Sequence, residues 1–312
     1  MPQTFANPQA QARALTHQPA AIRPWEPLPP LRLWHLTSLD APTVAVIWAL
    51  GFAWAAGIEL PPWLPVLLAL VTWTVYVADR LLDARAGLRA GTNHRLRQRH
   101  HFHWRHRRIL IPLAIAAFCT AFAIVVALMP PTIRERNTVL AAAALAYFTR
   151  VHSRPTLLTR RSPALSRLPS FRFPLKELLV ALLFTAACAL PAFSRLPTAS
   201  AAWPLATTAA FFSLLAFVNC HAIEHWESNS TGSWRTRHLA GPLALIGLLT
   251  AALLFPSHPR PAALLVLGAT SALLLALLDL MRNRLTPLAL RAAADLVLLT
   301  PATIPALALL VR

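Results

Sequence analysis

The stretch VYVADRLLDARAG (residues 75–87) decides the fold. It opens as the tail of a long apolar run and then delivers Asp79, Arg80 and Asp83 in quick succession. The chain has 11 acidic residues in 312, yet two of them stand four apart at the end of a greasy segment. The run they terminate reaches back to residue 63, about the 20 mostly apolar residues that a helix needs to cross a bilayer.

Composition extends that reading to the whole chain. Hydrophobic residues make up 56% of it and charged residues 13%, with a mean hydropathy of +0.53. A soluble domain carries about 25% charged residues, so a chain this apolar needs lipid as part of its solvent. Hydropathy predicts spans at 41–58, 63–83, 109–129, 133–149, 174–193, 203–222, 239–255, 262–280 and 286–311. The fourth is the shortest in uninterrupted apolar length (TVLAAAALAYFT) and borrows from its flanks. Prolines fall mostly between spans (Pro61, Pro62, Pro130, Pro131, Pro256, Pro259), where they stop helices. The expected fold is therefore all-α, a polytopic membrane protein of about nine transmembrane helices.

Residues 1–30 differ in kind. They are rich in Pro, Gln and Ala, with no continuous apolar core of the sort a cleavable leader carries, and read as a disordered cytoplasmic tail. Residues 31–312 form the membrane domain. Cys119, Cys188 and Cys220 all fall inside predicted spans, so no disulfide framework is implied, and each reads as a small buried hydrophobe.

Charge orients the spans. Lys and Arg crowd the connections after the second, fourth, sixth and eighth, whereas only Arg134, Arg136, Arg195 and Arg260 serve the intervening ones. The positive-inside rule puts the N-terminus inside and the C-terminus outside, in the cytoplasmic or inner membrane if the source is bacterial. The net charge of +18 then reflects topology and anionic lipid contact. No nucleic-acid-binding module accompanies the basic residues, so no nucleic-acid partner is expected.

Asp79 and Asp83 close the second span at its cytoplasmic end, on one helical face. The sixth span ends on the same side in FVNCHAIEHWESNS, where Glu224 and Glu227 again share a face. Two convergent carboxylate pairs suit a hard cation such as Mg²⁺, which bridges carboxylates to substrate phosphates. The same side carries TNHRLRQRHHFHWRHRR (92–108) and Arg150, Arg154, Arg160, Arg161, Arg167, Arg172 and Lys176. Guanidinium groups recognise phosphate in bidentate fashion. A metal site beside an arginine-lined mouth at a lipid boundary points to a diphosphate with an apolar tail.

On these residues the chain resembles the UbiA-type intramembrane prenyltransferases, a nine-helix family with two cytoplasmic acidic motifs. VYVADRLLD is similar to the second half of that family's NDxxDRxxD motif, and EHWE to its DxxD motif with Glu for Asp. Val75 and Tyr76 stand in place of the opening Asn-Asp, and Thr231 where a last acid is usual. The resemblance implies helices around a central cavity, with Asp79, Asp83, Glu224 and Glu227 as catalytic Mg²⁺ ligands. It also implies Arg80, Tyr76, Tyr147, Arg150, Arg154 and Asn219 as substrate-binding residues. Expected ligands are a prenyl diphosphate, a lipophilic acceptor, aromatic or otherwise, and membrane lipids. A non-catalytic isoprenoid-binding or carrier protein of the same fold is the alternative.

Other patterns are weaker. HAIEH (221–225) spells an H-x-x-E-H zinc motif but has no evident third ligand. The histidines at 100, 101, 103 and 106 read as an interfacial basic stretch. Arg291 and Asp295, i and i+4 inside the ninth span, read as a self-neutralising pair or a polar cavity wall.

Overall fold

A computed structural model of the chain describes residues 29–91, 96–152, 175–228 and 235–305. Every regular element among them is helical: α1 (Pro29–Leu36), α2 (Asp40–Ala55), α3 (Trp63–Arg89), α4 (Gln98–Arg105), α5 (Arg107–Leu128), α6 (Pro131–His152), α7 (Leu175–Phe193), α8 (Ala202–Ser228), α9 (Thr236–Leu254), α10 (Pro259–Met281) and α11 (Pro287–Leu296). A 3₁₀ segment, Val297–Thr303, follows α11. Six helices are long and apolar enough to cross a membrane, or seven if the bent pair α1–α2 counts as one span. The expected tail lies outside the described residues, apart from Pro29 and Pro30, which already belong to α1.

Two of the nine expected spans take a different form. α6 is longer than the fourth predicted span, but its first turns carry Arg134, Glu135, Arg136 and Asn137 and dilute its hydropathy. Arg134 folds back there and donates to the carbonyls of Val126 and Met129, satisfying the end of α5. The ninth span is broken. α11 starts on Pro287 with Thr286 Oγ1 accepting from the Ala289 amide, and after ten residues it tightens into the 3₁₀ segment around Pro301. Pro301 has no amide hydrogen to continue an α-helical ladder. Side chains take up groups outside that ladder: Trp48 Nε1 donates to the Leu298 carbonyl at 2.8 Å, and Thr300 bonds Ser271 and the Leu267 carbonyl.

The core lies between α2, α7, α8, α9 and α10. Trp48 stacks on Phe212 at 3.9 Å between centroids, with Phe52 edge-on to the same ring. Phe211 wedges where α9 and α10 pack most closely, against Gly247 and Gly268; a Cβ at either would stand 2.5 or 2.6 Å from its ring. Outward faces are apolar instead: Ile109, Leu113, Phe118 and Phe122 of α5 and Leu245, Leu249 and Leu253 of α9 are all exposed. That pattern suits lipid-facing helices, which need no polar face. Cys119 shares this exposed surface and is not the buried hydrophobe expected of it, whereas Cys188 is buried and Cys220 half-buried.

α3 and α8 have 27 residues each, about 40 Å of helix against an apolar layer of roughly 30 Å. Their last turns therefore extend past the layer, carrying the two acidic motifs. α6 returns to this level, since Tyr147 lies within electrostatic reach of Asp79 and Glu177.

Candidate functional site

The site grows from the end of α3. Tyr76, Asp79, Arg80 and Asp83 fall at helical spacings of three and four, so one stripe carries them all. Asp83 is the outermost, 48% exposed, and its carboxylate stands 3.9 Å from His100 Nε2. Arg80 turns the other way and is 3% exposed.

Arg80 is absorbed by the elbow between α1 and α2, which are bent 88° to each other. Ser38 makes the corner at φ 64°, left-handed backbone that a non-glycine residue rarely adopts. Arg80 Nη1 donates to the His35 carbonyl at 3.0 Å and to Ser38 Oγ at 2.7 Å, and Nη2 lies 3.4 Å from Asp40 Oδ2. Ser38 Oγ pairs in turn with His103 Nε2 at 2.9 Å, while His103 Nδ1 faces the Arg99 carbonyl at 2.8 Å. Since a carbonyl only accepts, Nδ1 carries the proton and Nε2 accepts from Ser38. Trp73 Nε1 completes the corner by donating to the Thr37 carbonyl. Arg80, expected to bind substrate, thus makes its contacts to the fold; the guanidinium also lies 5.9 Å from the Tyr76 ring centroid.

The second motif sits in a cluster of cations. Both Glu227 oxygens accept from Arg291 Nη1, at 2.8 and 3.0 Å. Arg97 also pairs with Glu227, and Arg99 Nη1 lies 3.9 Å away. Glu224 is 58% exposed with Arg97 at 4.0 Å. α4 carries the link between the two motifs, because Arg99 Nε donates to His100 Nε2 at 3.3 Å and His100 approaches Asp83. Burial, reinforced by Arg99, Arg97 and Arg80, holds the His100 imidazole down to about 3. Burial also lowers Arg99 to about 10, with Arg80 adding to the effect, so Arg99 stays charged at neutral pH.

Local pairing lost to tertiary contact on α11. Arg291 and Asp295 do not neutralise each other: Arg291 goes to Glu227, while Asp295 Oδ1 accepts from Asn219 Nδ2 at 3.4 Å and Oδ2 lies 3.8 Å from His35 Nδ1. Tyr76 is within electrostatic reach of Cys220, Asp295 and Asp40, placing it beside this second polar cluster. The Arg150 side chain and all of Arg154 lie outside the described residues.

Mg²⁺ fits this arrangement unevenly. Asp79 and Asp83 share a face, and Asp83 opens to solvent, as a hard cation retaining waters requires. Glu227 does not fit as a ligand while its oxygens are engaged by arginines. Among the described residues, one group of three His, Cys, Asp or Glu side chains has converging ligand atoms: His35, Asp40 and Asp295. Among the described residues the H-x-x-E-H side chains join no such group; the His221 and His225 rings stack at 6.4 Å, and His225 meets Arg282.

Sequence reasoning missed His35, Asp40 and Asp279. Asp279 is a lone acid in an apolar run, a signal the sequence offered, whereas His35 and Asp40 stand in a mixed stretch with Arg32, Thr37 and Ser38. Asp279 ties three helices, accepting from Trp226 Nε1 at 2.8 Å and the Arg237 amide at 3.3 Å. An apolar groove of about 330 Å³ runs between α7 and α8, lined by Leu182, Thr185, Ala189, Phe193, Ala209 and Ser213. No protein-family model matches the chain, and no curated protein or solved structure matches it.

Proposed function

We propose that the chain is an integral-membrane prenyltransferase of UbiA type, with nine spans around a central cavity, the N-terminus inside and the C-terminus outside. It would move an isoprenyl group from a prenyl diphosphate to a lipophilic acceptor. The observation that carries this reading is the meeting of the ends of α3 and α8 through α4: Asp83 to His100, His100 to Arg99, Arg99 and Arg97 to Glu227.

The arginines have a second use in this reading. Arg97, Arg99 and Arg291 surround one carboxylate with three cations, an excess that draws phosphate oxygens. On substrate entry they turn from Glu227 to the diphosphate and hold it at the mouth. The C–O bond to the allylic carbon breaks, its electron pair leaves with the diphosphate, and the acceptor attacks the allyl cation and loses a proton. Tyr76 and Tyr147 offer ring faces to that cation. Mg²⁺ held by Asp79 and Asp83, with Glu224 nearby, would supply neutralisation of the charge developing on the leaving group. The α7–α8 groove is apolar, as an isoprenyl chain requires.

The engagement of Glu227 by arginines favours a second reading, an isoprenoid-binding or carrier protein without turnover. One experiment separates the two. Asp79→Asn and Asp83→Asn keep size and helix while removing charge, and each is expected to lower Mg²⁺-dependent release of diphosphate from an allylic prenyl diphosphate by at least 100-fold, about 2.7 kcal/mol. Wild-type protein that binds prenyl diphosphate yet releases none over ten- to fifty-carbon donors would establish the carrier instead.

A further inference from the structure

We propose that His35, Asp40 and Asp295 form a binding site for a borderline divalent cation of the Zn²⁺ class, separate from the acidic motifs. The three ligand atoms lie within 4.8 Å of one another, drawn from α1, α2 and α11. His35 Nδ1 stands 2.7 Å from Asp40 Oδ2 and 3.8 Å from Asp295 Oδ2. Tetrahedral Zn²⁺ with bonds of 2.0–2.2 Å sets its ligands about 3.4 Å apart, so small side-chain movements close the set.

Two buried atoms reinforce the geometry. His35 is 1% exposed and turns Nδ1, the atom 2.7 Å from Asp40 Oδ2, into the cluster. Asn219 is 5% exposed; its Nδ2 touches Asp295 while its Oδ1 has no donor. An unpaired buried polar atom is expensive, and one beside this carboxylate pair points to a missing ligand. Half a turn of the Asn219 amide would present Oδ1 as a fourth donor.

Charge and donor type select the ion. Asp40 Oδ1 is taken by the Ala41 amide and Oδ2 faces the cluster. Two carboxylates lie here against the one guanidinium of Arg80, 3.4 Å from Asp40, in a site mostly closed to water. An imidazole nitrogen with carboxylate oxygens suits Zn²⁺ or its neighbours, whereas Mg²⁺ prefers oxygen alone. Asp295 is 18% exposed and supplies the route of entry. The ion would tie the first two helices to the last, and the site needs no prenyl substrate.

The test uses the full chain in lipid nanodiscs with a histidine-free tag, stripped with EDTA and dialysed against buffered micromolar Zn²⁺ without diphosphate. Metal content is read by mass spectrometry and site symmetry by the visible absorption of Co²⁺. His35→Asn and Asp295→Asn should each lose one equivalent of zinc and the intense tetrahedral Co²⁺ bands. His101→Asn, at an exposed surface histidine, and Asp79→Asn should keep both. Asp295→Asn is close to isosteric and partly accessible, and gel filtration verifies its folding. Wild-type chain without zinc, or both variants folded with wild-type zinc content, overturns the proposal.

Discussion

Replacing Arg80 with Ala tests whether this motif residue serves the fold. The substitution strips three acceptors at once: the His35 carbonyl at 3.0 Å, Ser38 Oγ at 2.7 Å and Asp40 Oδ2 at 3.4 Å. Asp40 is 2% exposed, so its carboxylate is left buried beside a histidine with no cation. Removing one partner of a buried pair costs about 3–5 kcal/mol, and an orphaned carbonyl on the order of 1–3 kcal/mol more where water cannot reach it. Water entering the truncated site offsets part of this, and the net expectation is a loss of about 3–5 kcal/mol. The measurement is reversible unfolding by SDS in mixed micelles, in EDTA so that no cation compensates. Arg80→Lys should fall between, since an ammonium keeps the charge and loses the fork. Asp40→Asn added to Arg80→Ala should recover about 1–2 kcal/mol by removing the stranded charge. Arg80→Ala within about 0.5 kcal/mol of wild type would refute the structural role, because substitutions away from such features fall in that range.

Gly268→Ala should destabilise by about 1–3 kcal/mol through overpacking, since the new methyl would meet the Phe211 ring at 2.6 Å; adding Phe211→Leu should recover much of that loss in the same titration. His103 gives a pH dependence. Burial, opposed by the bond to the Arg99 carbonyl and aided by Arg80, lowers its imidazole to about 4, against 6.5 unfolded. The unfolded chain therefore binds the extra proton first, and stability falls as pH drops from about 6.5 to about 4, by roughly 1–3 kcal/mol. His103→Asn should make the profile shallower over that window, leaving the slope that His100, held to about 3, contributes there.

The long apolar helices were legible in hydropathy because lipid imposes one requirement along the whole segment, and α3, α5, α7, α8, α9 and α10 all answer to it. What escaped were outcomes fixed by distant partners. The ninth span reads as continuous, yet its 3₁₀ form is matched to a Trp48 indole 250 residues away in sequence. Arg291 and Asp295 satisfy the spacing of a helical ion pair, but Glu227 and Asn219 lie close enough to take one each. Arg80 was found as a motif letter, while its direction depends on Ser38 making a corner that no local pattern announces. The α3 and α8 carboxylates were located correctly at helix ends, while Arg97 and Arg99, two of the three arginines around Glu227, come from a connection whose basic character had a sufficient explanation in topology.

Ser38 also carries a consequence for how the protein is made. Glycine would adopt φ 64° at less expense, but it has no hydroxyl, and that hydroxyl joins Arg80 to His103. Both partners leave the ribosome after the elbow does, 42 and 65 residues later in the chain. The first two helices therefore emerge with their corner held only by Trp34 to Thr43 and His35 to Asp40, its strained backbone unsupported by either later contact. The Arg80 and His103 contacts add to these once α3 has inserted and α4 has folded back. The N-terminal corner is first to be synthesised and among the last to be completed, and a ribosome-stalled chain ending before residue 80 should carry a looser elbow.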